Sequence, residues 1–180
     1  MFAVVDIETT GNFYKNGKIT EIAVVLHNGT EVTGVFDTLL NPEMDIPYPI
    51  TRLTGITNAM VENAPKFYMV AAKIVELTAG RTFVAHNVNF DYKFIQEEYA
   101  RLGYEFHRKK LCTVQLSRKI MPGYSSYSLG NLCSALGIMN EARHRAAGDA
   151  LATAKLLSIL LEKDRLAGMA RKPGKTSRLF

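Results

Sequence analysis

The chain has 180 residues, 47% apolar and 22% charged, with two cysteines and a net charge of +5. This size and composition fit one globular domain with a full core and exclude a disulfide scaffold or a collagen-like chain; no run approaches the roughly 20 apolar residues of a membrane-spanning helix. The charge does not mark the body as a nucleic-acid binder, because residues 163–180 hold six basic residues against one acid, Asp164, and residues 1–162 balance.

Phe2–Thr9 reads as a strand. Lys18–His27 and Glu31–Leu40 are β-branched and flank Asn28-Gly29, a pairing that predicts an antiparallel hairpin. Asn41-Pro42 and the Pro47/Pro49 pair open a loop. Helices are predicted over Ile50–Leu53 and, as a single piece, Met60–Leu77, closed by Ala79-Gly80. Thr82–Ala85 is a short fourth strand. Asn87 or Asn89 is expected to cap a helix that runs to about Leu102 and ends at Gly103. Lys110–Cys112 reads as a fifth strand and Val114–Ile120 as a helix stopped by Pro122-Gly123. Leu129–Leu136 is a helix closed by Gly137, and a last long helix runs from about Arg145 to Leu166. Three leading strands with helices interleaved afterwards predict an α/β domain, a mixed sheet flanked by helices. Cys112 and Cys133 lie far apart with no CxxC spacing, as expected of reduced thiols in a cytoplasmic protein. No basic segment leads into an apolar run at the N-terminus, so no leader is expected.

Three short stretches carry chemistry. In "VVDIETTGN", Asp6 and Glu8 lie two apart on a strand and point the same way, so they either splay into water at the strand end or recruit a cation. In "FVAHNVNFDYKFI", Asp91 sits in the first turn of a helix, where an acid also stabilises the helix dipole with no further role. In "HRAAGDALATAKLL", Asp149 lies among small residues that would let a helix approach a sheet closely, and Gly148 inside that helix implies tight packing. His144 just precedes the helix and is expected on a loop.

Taken together, Asp6-x-Glu8, the "HNVNFD" ending at Asp91 and the "HxAxxD" from His144 to Asp149 resemble the DEDDh 3′→5′ exonucleases. With "DIETTG" and the "TGIT" of residues 54–57, the chain looks most like the epsilon-type proofreading branch of bacterial DNA polymerase III. The resemblance spans residues 4–150. It implies an RNase H-like fold with a five-stranded mixed sheet, three antiparallel strands first. It implies two divalent ions, Mg²⁺ with Mn²⁺ as substitute, because hard ions take carboxylate oxygens. On matching positions Asp6 bridges both ions, Glu8 and Asp149 complete one site, Asp91 supports the other, and His144 is the general base. A histidine's ordinary pKa of ~6.5 suits that role. Thr9, Thr54 and Phe90 fall where the family grips the terminal nucleotide; Phe13 and Tyr14 either stack on a base or pack their loop. The tyrosines of "MPGYSSYS", residues 121–128, either line the groove or cover the last helix.

The implied activity is release of nucleoside 5′-monophosphates from single-stranded DNA 3′ ends. RNA trimming and an inactive scaffold for a polymerase or sliding clamp are the alternatives. The expected organisation is a nuclease domain over 1–168 and a basic tail or linker over 169–180. The tail's Leu179-Phe180 ending resembles a clamp-binding peptide lacking its usual Gln, and the alternative is a linker to a further C-terminal domain, such as a GIY-YIG nuclease.

Overall fold

The computed structural model describes residues 1–140 and 142–170, with side chains through 166. Residues 171–180, including Leu179-Phe180 and most of the expected linker, lie outside the described residues.

Five strands form one sheet: β1 (Phe2–Thr9), β2 (Ile19–His27), β3 (Val32–Leu39), β4 (Thr82–Ala85) and β5 (Lys110–Cys112), in the order β3-β2-β1-β4-β5. β1–β2 and β2–β3 are antiparallel, while β1–β4 and β4–β5 are parallel. The β2–β3 connection is the expected hairpin, widened to four residues: the Asn28 Oδ1 accepts from the amides of Thr30 at 2.8 Å and Glu31 at 2.9 Å, and Gly29 takes φ +108°. The asparagine side chain replaces ladder bonds that the chain gives up at the turn.

Among the described residues seven helices follow β3, interleaved with β4 and β5: α1 (Tyr48–Thr54), α2 (Asn58–Val61), α3 (Phe67–Thr78), α4 (Asn89–Arg101), α5 (Thr113–Ile120), α6 (Leu129–Leu136) and α7 (Ala146–Ala170). The single helix expected over Met60–Leu77 is in fact α2 and α3. Pro65 separates them, since a proline has no N–H to donate and pushes the residue before it out of helical geometry. The expected asparagine cap of α4 is also absent. Val88 occupies the cap position without a side-chain bond, Asn87 turns the chain with φ +72°, and the Asn87 carbonyl accepts from the Phe90 amide at 3.0 Å. Here a left-handed backbone does what a side chain was expected to do.

β1 is buried on both faces, and its alternation sorts the core. Ala3, Val5 and Ile7 face α3 and α4, where Ile74, Phe94 and Ile95 complete a large apolar cluster. Val4 points the other way, with Ala23, Val25 and Val84, onto Ala146, Ala150, Ala154 and Leu157 of α7. The alanine stripe at four-residue spacing brings α7 close to the sheet. Tyr124 and Tyr127 pack with Leu156 and Leu160, so the tyrosines of "MPGYSSYS" cover the last helix.

Candidate metal-binding active site

Asp6 and Glu8 continue the Val4 face of β1, so they emerge under the start of α7. Their position is the carboxyl end of the parallel pair β1–β4, where the chain leaves β1 to one side for β2 and β4 lies on the other. Such a switch point opens a crevice in α/β sheets. One carboxylate oxygen each of Asp6, Glu8 and Asp149 lies within 4.8 Å of the others. Asp91 stands outside that trio, buried at the start of α4, and close enough that its charge acts on Asp6.

These acids lack compensating cations. Among the described residues, no Lys, Arg or His forms an ion pair with Asp6, Glu8 or Asp91. Burial raises the Asp6 carboxyl well above the usual carboxylate range, and the charges of Asp91, Asp149, Glu8 and Glu21 raise it further. Glu8 is pushed up to about 7 by burial and then by Asp149 and Glu21, against a lowering from Arg145. Asp91 is pushed up to about 8 by burial, partly offset by the backbone amides of Asp91 and Ile7. A cluster of oxygen donors carrying more negative charge than its surroundings balance fits a hard divalent cation.

The raised values set a sign for stability. Each group binds its proton more tightly folded than unfolded, so its contribution is complete below the unfolded values near 4 and is lost as pH rises through about 7 and 8. In EDTA, the melting temperature is therefore expected to fall between about pH 5 and pH 9, by on the order of 5 °C. Added Mg²⁺ should recover the loss at the alkaline end. Scanning fluorimetry across that range checks it, and a flat metal-free profile would show that the carboxyls are not strained.

Asp149 is held by the loop that precedes it. The Asn140 Nδ2 donates to its Oδ1 at 2.6 Å, and the His144 amide donates to its Oδ2 at 3.1 Å. His144 has φ +61° and is half-buried. Gly148 is required here: a Cβ would overlap the Ala142 carbonyl oxygen, so the tight packing that its position implied is against this loop. The sequence did not single out Asn140, although it lies only four residues before the His144 motif. It also missed His86, whose Nδ1 meets the Thr113 hydroxyl and whose Nε2 meets the Tyr127 carbonyl, both at 2.9 Å. Burial lowers the His86 pKa, and the ring ties the end of β4 to the 124–128 segment.

The residues expected to contact substrate make local contacts of their own. The Thr9 hydroxyl donates to the Gly11 carbonyl at 2.8 Å. The Thr54 hydroxyl donates to the Ile50 carbonyl at 3.0 Å and accepts from the Ile56 amide at 3.1 Å, so both side chains are engaged in local turns. Phe90 packs on Phe94 with ring centroids 5.0 Å apart. Phe13 is 79% exposed, while Tyr14 lies against the core.

Comparison with known proteins gives a consistent picture. The family model described as exonuclease, RNase_T, matches residues 3–157. The chain is 41% identical to the 3′-5′ exonuclease DinG of Bacillus subtilis, over 91% of this chain and 18% of that protein. It is 36% identical to the DNA polymerase III subunit epsilon of Aquifex aeolicus, over 90% of this chain and 81% of that one. The chain thus spans under a fifth of the DinG protein's length. Among solved structures, Exonuclease X in complex with 5′ overhanging duplex DNA superposes with a TM-score of 0.76 at 27% identity, covering 92% of this chain and 93% of that one.

Proposed function

The chain belongs to the RNase_T exonuclease family and has an RNase H-like fold, and from that premise we propose that it removes nucleotides one at a time from single-stranded DNA 3′ ends, releasing nucleoside 5′-monophosphates. The observation that carries this reading is the convergence of Asp6, Glu8 and Asp149, none of which forms an ion pair among the described residues. Asp6, Glu8, Asp91 and Asp149 would hold two divalent ions, Mg²⁺ by the hardness of the donors. When bound, the ions supply charge neutralisation at the scissile phosphate and acidify water.

The chain's own residues do the rest. Asn140 and the His144 amide fix the rotation of the Asp149 carboxylate, so one ligand is oriented before any ion arrives. A His144 ring nitrogen takes the proton of the attacking water as the water oxygen bonds to phosphorus, and the bond to the leaving 3′ oxygen breaks, that oxygen taking up a proton from solvent. Phe13, exposed in the loop that follows β1, offers a ring for a base. In the whole protein, we infer, this domain is an exonuclease module in the cytoplasm, held by a polymerase or clamp or joined to further domains. The relatives' names and lengths support that setting. Among the described residues no helix is long and apolar enough to cross a membrane.

The deciding experiment digests matched, mismatched and RNA 3′ ends with Mg²⁺, Mn²⁺ or EDTA. Stepwise release of deoxynucleoside 5′-monophosphates with metal and none with EDTA is expected. Faster digestion of RNA would replace the DNA assignment with RNA trimming, and no digestion of any end would leave a scaffold.

A further inference from the structure

Glu21 is a fifth carboxylate at this site, itself buried at 2% exposure, and the proposed chemistry does not use it. It stands directly opposite Glu8 in the β1–β2 ladder. Opposed residues of an antiparallel pair share a face, so Glu21 points toward the same crevice as Asp6 and Glu8. Unlike them, its carboxylate is fully engaged. Arg145 Nε lies 3.1 and 3.0 Å from its two oxygens, Arg145 Nη2 lies 2.6 Å from Oε1, and the Ala146 amide donates to Oε2 at 2.9 Å. Ala146 opens α7, so Glu21 also satisfies one of the amides that a helix start leaves free. A carboxylate with this many donors is a poor additional metal ligand, and the side chain it holds is that of the residue next to His144.

His144 is therefore held from both sides. Its own amide is bonded to Asp149, and the residue after it is forked onto β2. Its left-handed backbone leaves few ways to rebuild the loop if either anchor slips. We infer that Glu21 and Arg145 are positioning residues: their ion pair docks residues 142–145 on β2 and fixes where the His144 ring stands relative to the acid cluster. This inference rests on the exonuclease reading and on His144 as the base.

The test is Arg145→Lys. Lysine keeps the charge but cannot present the planar fork, so Glu21 retains a cation and the Ala146 amide and the fold should survive. The expected result is a kcat lowered about 10- to 100-fold, from misplacement of the base, with KM and Mg²⁺ affinity within about two-fold of wild type. In a His144→Ala background, the same substitution should cost less than about two-fold, because a positioning residue has nothing left to position. Without metal, NMR of the imidazole protons of the four histidines should show the His144 resonance moved or broadened in Arg145→Lys while those of His27, His86 and His107 stay. Glu21→Gln should behave as Arg145→Lys where it folds. Full activity in Arg145→Lys, additive losses in the double variant, or lost Mg²⁺ affinity would each overturn the inference while an active wild type leaves the exonuclease reading standing. A wild type inactive on every end would remove both.

Discussion

Asp6→Asn is expected to lower metal-dependent hydrolysis by about 10³-fold or more while leaving the metal-free protein as stable as wild type, or more so. The two halves come from one cause. Asp6 sits where burial and four neighbouring carboxylate charges all disfavour its ionised form, so the folded protein is strained by its charge and gains from its removal. The amide keeps the volume but removes the negative charge. The same substitution takes away one of the carboxylates that would hold the ions, and chemistry that relies on their charge would lose several kcal/mol of transition-state stabilisation. Activity on a 3′-labelled oligonucleotide and melting in EDTA, measured on the same preparation, read the two halves separately. Lost activity with a lowered metal-free melting temperature would instead mark Asp6 as a structural residue. Retained activity would end the metal assignment.

The strands were legible because their signals are local. Alternation and β-branching place Phe2–Thr9 and Thr82–Ala85 within the residues themselves, and Asn-Gly announces the β2–β3 turn. One failure turns on a single residue type and the other on a backbone conformation. The periodicity of Met60–Leu77 continues through Pro65, but the chain cannot. Asn87 shapes the start of α4 through a positive φ that no pattern displays. At the site, the family resemblance joined motifs whose spacing alone was ambiguous, and Asp6, Glu8 and Asp149 do converge. Glu21 could not be read in this way. Its pairing with Glu8 depends on the length of the loop from Thr10 to Lys18 and on the register shift between Glu8 and Thr9. A slip of one residue would send it to the opposite face. Arg145 was equally opaque, since the fork that explains it closes onto a residue 124 positions away.

His144→Ala is expected to cost about 10²–10⁴ in kcat, the range for losing a positioned general base, with metal and oligonucleotide binding preserved. The structure explains why binding should survive. What Asp149 receives from position 144 is a backbone amide, which alanine supplies equally, and Asn140 and the Arg145–Glu21 pair are untouched. Backbone strain is the competing explanation, because position 144 has φ +61° and any residue with a Cβ is disfavoured there. His144→Gly separates the two. Glycine adopts this φ freely, so a conformational defect would be relieved in the glycine variant and a missing base would not. Added imidazole should restore part of the turnover in both, by occupying the space the ring vacates. Glycine with near-wild-type kcat would assign His144 to the backbone alone, and weakened Mg²⁺ binding in both variants would make the ring part of the metal site. Equal losses in the two variants with rescue by imidazole would leave proton transfer as the one function of the ring that fits.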